Sequence, residues 1–116
     1  MQTGNPQKTR FMALTDAYHG ETLAALAVGD CDLYTKLYKP LLLDVIRIDG
    51  PDCYRCPYGK NCKTCNAECF EKAEKSFEKY GNETAGMIVE PLLQGSAGMK
   101  IIIFGATELG CLIATE

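Results

Sequence analysis

The sequence predicts an α/β domain with a mostly parallel sheet and flanking helices. Two observations carry this: short apolar runs alternate with segments whose apolar residues recur at helical spacing, and polar, glycine or proline residues close the runs. The first run, Arg10-Phe11-Met12-Ala13-Leu14, ends at polar Thr15-Asp16 and reads as a buried strand entering a loop. Glu21 to Val28 reads as a short helix with Leu23, Leu26 and Ala27 on one side and Gly29 as its stop. From Cys31 to Leu43 the spacing is irregular, and Leu33, Tyr34, Leu37 and Tyr38 predict one or two loose turns that stop before Pro40. Asp44-Val45-Ile46-Arg47-Ile48 follows as a second strand, closed by Asp49-Gly50-Pro51.

After a cysteine-rich loop, Asn66 is placed to cap a helix from Ala67 to Tyr80. Phe70, Ala73, Phe77 and Tyr80 recur at intervals of three and four along it, while Glu68/Lys72 and Glu71/Lys75 pair on the exposed face and Gly81 ends it. Thr84 to Glu90 reads as a third, mostly buried strand, interrupted by Pro91 and followed by the loop Gln94-Gly95-Ser96-Ala97-Gly98. In a sheet of this kind ligand chemistry is expected where loops leave the strand ends.

At 116 residues and 47% hydrophobic content the chain has material for one core. Twelve basic against fifteen acidic residues leave a net charge of -3, which offers no footprint for a phosphate backbone or an anionic membrane. Neither nucleic acid nor membrane is expected as a partner. The polar N-terminus and the lack of a membrane-length apolar run predict a cytoplasmic protein, in which seven cysteines stay reduced.

Tyr18-His19-Gly20 lies just past the first strand, where an aromatic ring, an imidazole and a permissive glycine meet a flat ligand or simply pack. A single histidine without a positioned partner does not define an acid-base or nucleophilic site. Cys53-x-x-Cys56 and Cys62-x-x-Cys65, with Cys69 beyond, are the second candidate: four thiolates form a zinc or iron-sulfur site. The gap between the two pairs is shorter than a zinc ribbon's and does not match ferredoxin spacing, so a cysteine-rich surface loop is the competing reading.

Two phrases add a resemblance. Lys8-Thr9-Arg10-Phe11 with Ala17-Tyr18-His19-Gly20-Glu21-Thr22, and some 70 residues on Ile88-Val89-Glu90-Pro91-Leu92-Leu93-Gln94-Gly95-Ser96-Ala97-Gly98-Met99, resemble the class III pyridoxal-phosphate aminotransferases of fold type I. The resemblance is nearest to the branch of that family that serves biotin synthesis with S-adenosylmethionine as amino donor. It implies that residues 1–98 are part of the family's large domain, an incomplete sheet of a homodimeric transaminase that passes an amino group from a donor to a keto acceptor. It also implies cofactor-binding roles for four residues: Tyr18 stacks on the pyridine ring, His19 and Gly20 stand beside it, and Glu90 lies near the cofactor as a polar group. No catalytic residue is assigned. The family's Schiff-base lysine and the aspartate that pairs with the pyridinium nitrogen have no counterpart here, nor has the upstream phosphate-binding turn, so the resemblance implies that the chain by itself is inactive.

Residues 99–116 depart from that pattern. Met99 to Gly110 resembles the opening strand, turn and helix of a nucleotide-binding domain, but Thr107 stands where the fingerprint's middle glycine belongs and the βαβ unit is incomplete. A fusion or truncation junction is therefore expected at 98/99.

Overall fold

The computed structural model describes residues 4–52, 55–61, 63–95 and 100–102. Three parallel strands form the main sheet: β1 (Arg10–Leu14) in the centre, β2 (Val45–Ile48) on one side and β3 (Thr84–Ile88) on the other. Between β1 and β2 lie two short helices, α1 (Leu23–Val28) and α2 (Asp32–Thr35), and a 3-10 turn at Lys39–Leu41. The longer α3 (Cys69–Tyr80) connects β2 to β3, and β4 (Leu92–Gln94) pairs antiparallel with β5 (Lys100–Ile102).

Strand alternation sorts the layers. Met12, Leu14, Ile46 and Ile48 form one buried cluster, and Ala73 and Tyr80 of α3 pack on it. Residues between them in sequence face the other way, and Arg47 there reaches the last carbonyls of α1. Thus α3 covers one face and α1, with Leu26, Ala27 and Val28 buried, covers the other.

Several boundaries differ from the sequence reading, each for a local reason. Helix α3 starts at Cys69 and not at Ala67, because Ala67 sits at φ 61, a left-handed conformation that no α-helix accommodates. Asn66 is accordingly no cap; its N–H donates to Glu68 Oε2 at 3.1 Å. Glu68, outside the helix, pairs with Lys60 at 3.3 Å, and Lys72 pairs with Asp49 at 3.0 Å, so the expected Glu68/Lys72 pair is replaced by contacts to neighbouring segments. Leu23 is 51% exposed and does not join Leu26 and Ala27. Pro40 lies inside the 3-10 turn near its start, where its missing N–H costs nothing. The third strand is half-buried and stops at Ile88, since it lies at the edge of the sheet in the order β2-β1-β3. Gln94 belongs to β4, whereas Ser96 to Gly98 and residues 103–116 of the expected tail, Gly105 and Thr107 among them, lie outside the described residues.

Among the described residues no helix is long and apolar enough to cross a membrane. The core predicts a contrast that urea denaturation of the chain reads directly. Ile48→Ala, at a position 2% exposed, should cost about 2–4 kcal/mol. Leu37→Ala, at 84% exposed, should stay within about 0.5 kcal/mol; equal losses would mean that the cluster on the α3 face is not the core.

Candidate functional site

Because β1 and β3 are adjacent and parallel, the loop that follows β1 and the segment that follows β3 leave the same edge of the sheet. The first carries Tyr18, His19 and Gly20; the second carries Glu90. All four expected cofactor-binding residues therefore gather at the C-terminal edge, where parallel α/β sheets hold their ligands.

The first loop is folded back on itself by polar ties. Asp30 does most of this: its N–H donates to Ala17 O at 2.7 Å, and its Oδ2 accepts from the N–H of Asp16 at 3.1 Å. Asp16 takes a left-handed φ of 55, which aspartate tolerates better than most residues, and Gly20 at φ 116 needs glycine. Beneath the loop, Arg47 donates to Val28 O at 2.7 Å, to Ala27 O at 2.6 Å and to Gly29 O. Burial lowers the pKa of this guanidinium, and the neighbouring Asp30 carboxylate works against that shift.

Tyr18 rests its ring against Tyr34, with centroids 5.4 Å apart and planes at 53°, and its hydroxyl donates to Glu21 Oε1 at 3.2 Å. Burial, followed by the Glu21 carboxylate, raises the pKa of the phenol above its ordinary value. His19 has its Nε2 buried without a hydrogen-bond partner among the described residues. Glu90 splits its carboxylate: Oε2 accepts from the N–H of Gly95 at 2.9 Å, while Oε1 is buried without a hydrogen-bond partner among the described residues. The structure brings the aromatic loop and Glu90 to one edge without joining them by a hydrogen bond of their own.

Buried polar atoms without partners are uncommon in folded proteins, and they cluster where a ligand completes them. His19 Nε2 and Glu90 Oε1 lie on segments that leave the same edge of the sheet, and Tyr18 adds an aromatic ring to the first of them. Composition and periodicity do not reveal Arg47, Asp30, Tyr34 or Gln94 as supports of this loop. A charged residue inside the apolar run Val45-Ile46-Arg47-Ile48 is the one local signal that was available.

Among its described residues the cysteine loop shows no comparable centre. Among the described residues no group of three or more metal-binding side chains is close enough to hold an ion. Cys56 and Cys65 are free thiols, and Cys53 and Cys62 lie outside the described residues. Burial, reinforced by Cys65, pushes the Cys69 thiol up.

Comparison with known proteins gives the class first. The family model described as Aminotransferase class-III matches residues 1–104, and the chain belongs to that family. That match runs past residue 98, and within it β5 pairs with β4. The chain is 44% identical over 99 residues to the adenosylmethionine-8-amino-7-oxononanoate aminotransferase of Geobacter sulfurreducens, covering 84% of this chain and 22% of that protein. It is 35% identical over 97 residues to a leucine/methionine racemase of Thermococcus litoralis, covering 82% of this chain and 22% of that protein. Among solved structures, an amine transaminase from an uncultivated Pseudomonas species in its PLP-bound form superposes with a TM-score of 0.74 at 30% identity, over 85% of this chain and 22% of that one. The chain thus spans about a fifth of the length of the relatives it matches.

Two outcomes follow from the loop's geometry. Arg47→Met strips three carbonyls of a charged donor, and should destabilise the chain by about 3 kcal/mol in urea denaturation, with Arg47→Lys losing less. Tyr18 should ionise above the ordinary tyrosine range of about 10 in an ultraviolet titration. Since its folded pKa is raised, the associated stability is complete below that range and is lost as pH rises through the folded value. Glu21→Gln should move the titration back down, and an unshifted phenol in the unsubstituted chain would contradict the described contact.

Proposed function

We propose that this chain forms one wall of the cofactor site of a pyridoxal-phosphate-dependent aminotransferase, and that the protein acts in biotin synthesis. The observation that carries the reading is the convergence at one sheet edge of Tyr18, His19 Nε2 and Glu90 Oε1 within a chain of the class III family. The 44% identity to an adenosylmethionine-8-amino-7-oxononanoate aminotransferase supports S-adenosylmethionine as amino donor and 8-amino-7-oxononanoate as keto acceptor.

In this reading the Tyr18 ring lies against the flat cofactor, its hydroxyl held by Glu21 so that the ring plane is fixed before binding. Gly20, at its positive φ, lets the backbone pass close beside it. His19 Nε2 and the free oxygen of Glu90 supply polar contacts around the ring, and the Gly95 N–H keeps the Glu90 carboxylate oriented. Bound pyridoxal phosphate supplies the electron sink that lets an amino group leave one carbon skeleton and join another. The protein works as a homodimer in the reducing cytoplasm, a setting in which free thiols such as Cys31 and Cys56 persist.

A graft tests the reading. With the matching segment of the Geobacter sulfurreducens relative replaced by this chain's residues, pyridoxal phosphate should still bind and amino transfer from S-adenosylmethionine to 8-amino-7-oxononanoate should persist. Tyr18→Ala in the graft should weaken cofactor binding about tenfold, the loss of one stacked ring. Unchanged cofactor affinity in that variant would remove Tyr18 from the site, and racemisation of leucine or methionine in place of transfer would overturn the assigned reaction.

A further inference from the structure

Gln94 is 1% exposed, yet it is neither in the hydrophobic cluster nor among the expected cofactor contacts. Its side-chain amide donates to Thr15 O at 2.8 Å, across 79 positions of sequence. Thr15 is the first residue after β1, where the loop bearing Tyr18 and His19 begins. Its N–H still donates to Ile48 O at 2.9 Å, continuing the β1–β2 ladder, and Gln94 supplies the donor for its carbonyl as the strands part. The other half of the glutamine amide gains nothing from this arrangement. Oε1 is buried with no partner among the described residues, and lies 3.4 Å from where a Cβ at Gly50 would stand.

Packing does not account for a glutamine at this position. Methionine has nearly the same length and would fill the space without leaving a buried acceptor unmet. The residue's distinctive contribution is therefore its N–H donor. Its own anchorage is also set at the site: the turn after β3 is tied by the Gly95 N–H to Glu90 Oε2 at 2.9 Å, one residue beyond Gln94.

We infer that Gln94 is a positioning residue, a latch that fixes the start of the Tyr18 loop relative to Glu90. Through it the two halves of the candidate site, carried on separate strands, share one hydrogen-bonded frame: Thr15 to Gln94, and Gly95 to Glu90. The inference deepens the cofactor reading and rests on it for its purpose, since the frame matters to function only if Tyr18 and Glu90 flank one molecule.

Isotope-labelled chain with Gln94→Met or Gln94→Glu tests it. Met removes the donor and keeps the volume; Glu keeps the shape and removes the donor at neutral pH. Expected for both are a shift of the Thr15 carbonyl carbon resonance and roughly fivefold faster amide exchange across Asp16 to Glu21, with α3 exchange unchanged. With pyridoxal 5′-phosphate as probe, the dissociation constant should rise by a similar factor. Loop exchange and the Thr15 resonance unchanged in Gln94→Met would overturn the latch, as would equal acceleration in α3, which would make Gln94 a support of the whole fold. The cofactor reading fails separately: if both substitutions loosen the loop while the probe moves no resonance of Tyr18, His19 or Glu90 in the unsubstituted chain, the latch stands and that reading falls.

Discussion

The geometry of the candidate site depends on a guanidinium placed under the end of a helix. Helix α1 has only six residues, far too few to be stable by its own hydrogen bonds, and its last carbonyls have no helical partners. Arg47, projecting from β2 on the face opposite the hydrophobic cluster, donates to Ala27, Val28 and Gly29 and places a positive charge at the negative end of the helix. That contact adds a charged anchor to the burial of Leu26, Ala27 and Val28 and to the backbone bonds that turn the chain at Gly29-Asp30. Asp30, held there, closes the loop through Ala17 and Asp16 and so presents Tyr18 and His19 at the sheet edge.

The edge itself is rich in acceptors and poor in partners. Among the described residues Glu90 and Gln94 each leave one oxygen buried without a hydrogen-bond partner, and His19 leaves a ring nitrogen in the same condition. A protein that needed only stability would gain by replacing such groups with apolar ones. His19 Nε2 and Glu90 Oε1 lie on the two segments that leave the shared edge of β1 and β3, where a polar ligand would complete them. The cysteine loop is the opposite case, since Cys65 Sγ accepts from the N–H of Ala67 and the Cys69 thiol is raised by burial. Among the described residues its thiols do not form a group of three or more metal-binding side chains.

Much of the architecture was legible because it is written in local patterns. Arg10–Leu14 and the core of the second strand were visible as apolar runs, and most of α3 as a spacing of three and four. The four cofactor-binding candidates came from motif resemblance, and their common edge follows from parallel pairing of β1 with β3, which alternation of strands and helices anticipates without fixing. The boundary errors have conformational causes: Ala67 at positive φ cuts the helix short of Asn66, and Pro40 is harmless at the start of a 3-10 turn. The supports of the site were hidden for a different reason. Arg47 meets carbonyls 18 to 20 positions away and Gln94 meets Thr15 across 79, so no window of sequence contains both partners.

The shape of the site loop is set by polar contacts, whereas the hydrophobic cluster lies on the other face of the sheet. The buried cluster is small, α3 has no fully buried residue, and its Phe70 and Phe77 line a cleft of about 220 Å³ with Leu14, Ile48 and Val89. Leu33, Leu37, Leu41 and Leu43 are all more than half exposed, so the segment before β2 presents apolar side chains to solvent. Hydrophobic burial of that size supports a modest fold, and the relatives that share it devote some four-fifths of their length to other segments. The site loop does not draw on the cluster for its shape. Charged and amide donors fix it to backbone carbonyls, and such bonds are directional where apolar contact is not. A loop held in this way keeps its conformation while the packing around α3 changes, so the ring of Tyr18 retains its orientation whatever comes to cover the apolar cleft.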